Sequence, residues 1–335
     1  MAEASASSRP YVFVTRELPG GAVDRLRSAA EVEVWPDQEP PPREELLRQA
    51  ARAEALLTLL TDRVDAALLD GAPRLRIVSN MAVGYDNIDV EAATARRVLV
   101  TNTPGVLTET TADFAFALLL ATARRVVEGD HLARSGGWPT WHPSFLLGQD
   151  VHGATLGIVG LGAIGTAVAR RARGFAMRVL YSDSKSRPEL EAELGASFVP
   201  LDALLRESDF VSLHVPLTPQ THHLIGRREL DLMKASAFLI NTSRGPVVDQ
   251  EALCEALRSH SIAGAGLDVA EVEPVPDGDP LLEMGNLVLT PHIASASVAT
   301  RTRMADMAAD AILAVLQGET PANLLNPRAA ARQNP

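Results

Sequence analysis

Arg244, Glu273 and His292 are the residues whose types and spacing point to chemistry, because each follows a short apolar run of strand character. Arg244 comes after AFLIN (237–241), Glu271 and Glu273 after AGLDV (265–269), and Pro291-His292 after NLVLT (286–290). Open parallel sheets bind ligands beyond the carboxyl ends of their strands, so a guanidinium, a carboxylate and an imidazole are predicted to meet on one edge. That set matches reduction of a 2-oxo acid, which needs a cation for the carboxylate and carbonyl oxygens and a proton for the forming alkoxide. The planar fork of Arg244 suits the first task in a way Lys cannot copy. His292 is the expected acid and Glu273 the carboxylate that favours its protonated form, since an unperturbed imidazole is only about a quarter protonated at pH 7. Any one of these residues at a strand end is more often structural than catalytic; all three on one edge reverse that balance. His131, His142, His152, His214, His222, His223 and His260 have no comparable placement and are expected at the surface or in packing.

The hydride for such a reduction needs a carrier, and residues 155–165, TLGIVGLGAIG, read as a strand entering G-x-G-x-x-G and then a helix. Glycines at 160, 162 and 165 allow a tight turn, close approach of backbone to a pyrophosphate, and close helix packing, with the helix N-terminus facing the phosphate charge. Asp183 ends the next strand, 18 residues past Gly165, where it would accept hydrogen bonds from the adenosine ribose and repel a 2′-phosphate. NAD(H) is therefore the favoured cofactor. Lys185 and Arg187 follow at once and keep NADP(H) open; their plainer reading is a solvated basic loop. Thr108, Thr110 and Thr111 open a helical stretch in which Thr111 is a candidate cofactor contact, although capping alone would explain the cluster.

The elements that must position these residues alternate strand and helix from end to end. YVFVT (11–15), EVEVW (31–35), ALLTLL (55–60), LRIVSN (75–80) and VLVTN (98–102) form one set. TLGIVG (155–160), MRVLYS (177–182), DFVSLHV (209–215), AFLIN, AGLDV and NLVLT form the second, so two α/β lobes with parallel sheets are expected. Between them, Thr108 to about Ser135 reads as one helix, apolar all round in its first half and so buried between lobes or at a subunit interface. An amphipathic segment, Val298 to Gly318, crosses back to the first lobe, and the Pro-containing end beyond it shows no structural pattern.

At 335 residues the chain suits two domains of ordinary size, with 46% apolar and 22% charged residues. A net charge of −11 is the wrong sign for nucleic acid or an anionic membrane surface, which leaves a small-molecule partner. The lone cysteine, Cys254, fits a reducing, cytoplasmic setting, and no metal site is expected. Residues 1–10 read as a disordered tail without the pattern of a signal peptide, and no apolar run approaches the length of a membrane span.

With those residues in place, the sequence resembles the D-isomer-specific 2-hydroxyacid dehydrogenases over about residues 11–327. The likeness rests on MAVGYDNID (81–89), NTPGVLTETTAD (102–113), GIVGLGAIG (157–165), SDFVSLHVPLTPQT (208–221), INTSRGPVVD (240–249), AGLDVAEVEP (265–274) and TPHIASA (290–296). LLTDRVD (59–65), GGWPTWHP (136–143) and SRPELEAELGA (186–196) make it most similar to glyoxylate/hydroxypyruvate reductases. The resemblance implies α/β architecture: a flavodoxin-like substrate domain (1–107 with 292–335) and a Rossmann-type NAD(P)-binding domain (108–291), each a doubly wound parallel sheet. It implies Arg244 as substrate anchor, Glu273 as the residue tuning the imidazole and His292 as acid/base. Val83 and Gly84 would give N–H groups to the substrate carboxylate. Asp268 would hold the nicotinamide carboxamide, and Ala163 and Ile164 would meet the pyrophosphate. Val215, Pro216, Thr242 and Ser295 would line the cleft. A homodimer through the cofactor domains is implied, with Trp141 a candidate to reach the partner's cleft or merely to pack in its own loop. Asp183-Ser184 stands where NADPH-using reductases of this kind carry Arg or Ser-Arg, and Leu59-Leu60 stands where phosphoglycerate dehydrogenases place an Arg. Two rivals remain: an NAD-sensing binding protein like the related co-repressors, which carry extra partner-binding tails, and a phosphite- or formate-type dehydrogenase, the formate enzymes usually having Gln at the position of Glu273.

Overall fold

The computed structural model describes residues 9–330, so most of the expected N-terminal tail lies outside the described residues. The chain divides into two compact units, residues 1–107 with 296–335, and residues 108–295. The return to the first unit, expected at 292, comes at 296 instead. Asp268 is the reason: its backbone carbonyl accepts from the His292 N–H, and its carboxylate accepts from the N–H groups of Ile293 and Ala294. Those bonds tie 292–294 to the second sheet.

The first unit is a five-stranded parallel sheet of β1 (Tyr11–Val14), β2 (Glu31–Val34), β3 (Ala55–Thr58), β4 (Ile77–Asn80) and β5 (Leu99–Thr101), in the order β2-β1-β3-β4-β5. The four strands other than β2 are buried throughout, as near-continuous apolar runs between helical layers must be, whereas edge strand β2 is partly exposed. Helix Val298–Leu316 packs on β3, β4 and helix Ala22–Ala29, capped by the Ser297 hydroxyl and pinned by Ser79 Oγ donating to Ala308 O at 2.9 Å. Residues 323–330 are more ordered than their pattern suggests. Asn326 bridges Val98 O and the Val100 N–H, Leu325 N donates to Val100 O, and a short helix occupies Pro327–Ala330.

The second unit is a seven-stranded parallel sheet of β6 (Thr155–Val159), β7 (Arg178–Ser182), β8 (Ser197–Phe198), β9 (Phe210–Leu213), β10 (Phe238–Asn241), β11 (Gly264–Leu267) and β12 (Leu287–Leu289). Its order, β12-β11-β10-β9-β6-β7-β8, reverses between β6 and β9, the Rossmann switch point at which dinucleotides bind. Strand β8, two residues on the edge, has no counterpart in the sequence reading. The single helix expected over 108–135 is two, Thr108–Ala123 and Val126–Arg134, broken at Arg125, whose φ of 54° is left-handed. The first packs on β10, β11, β12 and helix Ala163–Ala172, while the second buries none of its residues. Among the described residues no helix is long and apolar enough to cross a membrane.

Gly165 is where helix Ala163–Ala172 sits down on β6. A Cβ there would lie 2.1 Å from the backbone oxygen of Gly160, and neither backbone can yield without opening the turn. Gly165→Ala is therefore expected to cost about 1–3 kcal/mol and to weaken dinucleotide binding, read as a lower thermal midpoint and a higher Kd for NADH. An unchanged midpoint would contradict this account of the turn.

Candidate active site

The carboxyl ends of β10, β11 and β12 lie side by side, so the turns that leave them are neighbours. Asn241, buried at the end of β10, shapes the first turn with its own side chain: Nδ2 donates to Arg244 O at 2.9 Å, and Oδ1 accepts from the Ser243 N–H and hydroxyl at 2.9 and 2.8 Å. Gly245 follows because a Cβ at that point would meet the Ala270 carbonyl at 1.8 Å, so the turn bearing Arg244 is stacked directly on the turn that leads to Glu273. The partly buried Arg244 donates from its guanidinium to Ser243 O at 2.9 Å.

Glu273 takes the Ala270 N–H at Oε1 (3.1 Å) and meets His292 Nδ1 at Oε2 (2.7 Å). Burial pushes the Glu273 carboxyl up. The hydrogen bond and charge of His292, the Ala270 N–H and the charge of Arg244 outweigh that and hold it below the ordinary carboxylate value. An ionised carboxylate only accepts, so Nδ1 is the donor and Nε2 is the nitrogen left to exchange a proton. His292 itself has φ 54°, a left-handed conformation rare outside glycine. Asp268 overcomes that cost. Only 1% exposed, it accepts from the Thr290 hydroxyl and Ile293 N–H at Oδ1 and from the Ala294 N–H at Oδ2, bracing both sides of His292. This bracing role was not read from the sequence. Three of about four acceptor positions on Asp268 are so engaged.

The dinucleotide loop lies at the switch point. Leu161 N–H donates to Asp183 Oδ2 at 3.0 Å, joining the loop to the end of β7, and Gly160 lies against Val215 and the backbone of His214, with Pro216 exposed just beyond. Gly162 and Ala163 are exposed and Ile164 is half-buried at the start of helix Ala163–Ala172, whose first N–H groups have no partner within the helix. Thr242 at the end of β10 is 9% exposed, and its Oγ1 is buried with no hydrogen-bond partner among the described residues. These exposed N–H groups, the carboxylate of Asp183 and the orphan hydroxyl of Thr242 fit a dinucleotide. Arg187 and Ser184 prove to be partners of Asp183: Ser184 donates from N–H and hydroxyl to Oδ1, and Arg187 Nε lies 3.7 Å from Oδ2.

The remaining candidates fall in different places. Glu271 is not with His292 but accepts from His223 at 2.7 Å, and His223 stacks on His222. His214 shares a 2.8 Å hydrogen bond with Ser212, and burial pushes its imidazole down to about 4. Thr111 is buried in helix Thr108–Ala123, Ser295 is half-buried just past His292, and Trp141 is 76% exposed on the loop after helix Val126–Arg134. Val83 and Gly84 belong to the first unit, half-buried in the turn after β4.

The family model of the D-isomer specific 2-hydroxyacid dehydrogenase NAD binding domain matches residues 116–294. A glyoxylate reductase from Korarchaeum cryptofilum is 58% identical over 319 residues, covering 95% of this chain and 96% of its own. A crystal structure of a protein from Thermus thermophilus superposes with a TM-score of 0.89 at 52% identity, covering 94% of this chain and 99% of that one. An NADPH-dependent glyoxylate/hydroxypyruvate reductase from Sinorhizobium meliloti, solved with NADP and malonate, gives a TM-score of 0.85 at 33% identity, over 96% of this chain and 98% of that one. The chain belongs to the D-isomer specific 2-hydroxyacid dehydrogenases. It is an NAD(P)-dependent oxidoreductase.

Because the folded state holds Glu273 below its ordinary value of 4.5, ionised Glu273 stabilises the fold above that pH, and its contribution is lost as the pH falls through the lower folded value. The thermal-midpoint gap between the wild type and Glu273→Gln should be widest near neutrality and shrink below about pH 4.5. A gap that grows on acidification would contradict the assignment.

Proposed function

We propose that this enzyme reduces glyoxylate and hydroxypyruvate to glycolate and D-glycerate, reversibly, with NADH as the favoured reductant. The observation that carries the reading is the 2.7 Å contact of Glu273 with His292 beside the turn of Arg244, at the carboxyl edge of a Rossmann sheet. The Korarchaeum relative's activity supports the choice of substrate.

NADH held at the switch point would supply the hydride. Arg244 holds the substrate carboxylate and polarises its carbonyl, drawing negative charge toward the oxygen as the alkoxide forms. Val83 and Gly84 add N–H donors to the carboxylate. His292 passes the proton from Nε2 to that oxygen while Nδ1–H stays on Glu273, whose negative charge stabilises the imidazolium before transfer. Asp183 would receive the adenosine ribose, Ala163 and Ile164 would receive the pyrophosphate, and Asp268 would hold the carboxamide N–H. Asp183 repels a 2′-phosphate, and Arg187, one of the two nearby cations, lies beside it.

We further propose a cytoplasmic homodimer formed through the cofactor domains. Val126, Val127, Trp138, Trp141 and Leu147, all between residues 126 and 147, are each more than half exposed, and this apolar area is what a second copy would cover. Light scattering should give the mass of two chains, and Trp141→Ala should alter substrate KM if the indole reaches the partner's site.

The direct test follows loss of reduced-nicotinamide absorbance with NADH and NADPH against glyoxylate, hydroxypyruvate, pyruvate and phosphohydroxypyruvate. The first two with NADH should give the highest kcat/KM. His292→Ala should lower kcat by roughly 10²–10⁴-fold with NADH affinity intact, and Arg244→Ala should chiefly raise substrate KM. Undiminished turnover in His292→Ala would remove the proposed acid.

A further inference from the structure

We infer that Asn102 is a positioning residue that aims the N–H groups of Val83 and Gly84 at the substrate carboxylate. This inference rests on the proposed role of those two residues. A trans peptide is planar, so the carbonyl of one residue and the N–H of the next point in opposite directions, and whatever holds the carbonyl also aims the N–H. Asn102 Nδ2 donates to Val83 O at 2.7 Å, which turns the Gly84 N–H away from Asn102. The adjacent Thr103 N–H donates to Ala82 O at 2.9 Å, which does the same for Val83 N–H. Two successive carbonyls are thus drawn toward the residues just past β5, and the two N–H groups they control emerge together on the opposite side as a small anion-binding concavity.

The turn has no freedom to undo this. Asn80 Nδ2 donates to Gly84 O at 3.0 Å and contacts Asn87 Oδ1 at 3.3 Å, while Asn87 Nδ2 bonds Leu59 O and Asp62 O at 3.1 and 2.9 Å. Three consecutive carbonyls, 82 to 84, are therefore held from the protein side. Asn102 is only 7% exposed, and its own carbonyl accepts from Asn323 in the C-terminal segment, which holds Asn102 in place. A side chain that donates is essential here. A carboxylate would face the Val83 oxygen with repulsion, rotate the peptide, and present a carbonyl where the substrate carboxylate needs a donor.

Asn102→Asp should raise KM for glyoxylate by roughly 10- to 100-fold, and Ki for the unreactive carboxylate oxamate in parallel, with KM for NADH unchanged and kcat lowered less than KM rises. Asn102→Ala, which removes the donor without adding charge, should shift the same constants in the same direction by less; it supplies the reading if the aspartate variant does not fold. Unchanged glyoxylate KM in a folded variant, or an equal loss of NADH affinity signalling general disruption, overturns the inference while leaving the reductase reading intact. A wild-type enzyme that binds NADH but turns over no 2-oxo acid overturns both.

Discussion

The hydrogen bond from His292 Nδ1 to Glu273 Oε2 is the constraint on which the rest of the site depends. It is charge-assisted, it sets which imidazole nitrogen carries the exchangeable proton, and it holds the ring in one orientation. Everything around it serves to make a short contact possible between residues on two different turns. Gly245 lets the Arg244 turn lie on the Ala270 carbonyl, Ala270 N–H orients Glu273 from behind, and Asp268 keeps His292 in a backbone conformation that an unsupported chain would leave. Removing the brace would release strain at His292 and lengthen the contact, so the fold carries its local cost to keep that contact short.

The same logic governs the first unit, where the features proposed to meet the substrate are backbone N–H groups and not side chains. Backbone donors have no rotamers, so they are aimed by whatever holds the neighbouring carbonyls. Buried asparagines suit that task because they donate and accept while carrying no charge that would need a counter-ion. Asn80, Asn87 and Asn102 hold the turn of residues 82–84, and Asn323 and Asn326 secure β5 behind it. A long C-terminal return is thereby coupled to the geometry of a turn more than 200 residues earlier in the chain.

Much of this was legible in the sequence. Apolar runs located eleven of the strands, the glycine spacing located the dinucleotide turn, and placement at strand ends selected Arg244, Glu273 and His292. What escaped shared a physical cause: it depends on long-range hydrogen bonds that leave no local pattern. The break at Arg125 has no glycine or proline to announce it, and the order of residues 323–330 comes from asparagines bonding β5. Lys185 and Arg187 read as a solvated basic loop, yet Arg187 lies beside Asp183. Thr242 and Asp268 could be named only through a family likeness, whereas the unsatisfied hydroxyl of one and the bracing bonds of the other are properties of the fold.

The measurement that tests the central claim most directly is nitrogen-15 NMR of the histidine side chains at neutral to mildly alkaline pH, with His292→Gln used to assign the signal. The expected result is a neutral His292 that carries its proton on Nδ1, coupled to a low-field proton signal that shifts or disappears in Glu273→Gln. A neutral ring protonated on Nε2, with Nδ1 bare, would contradict it.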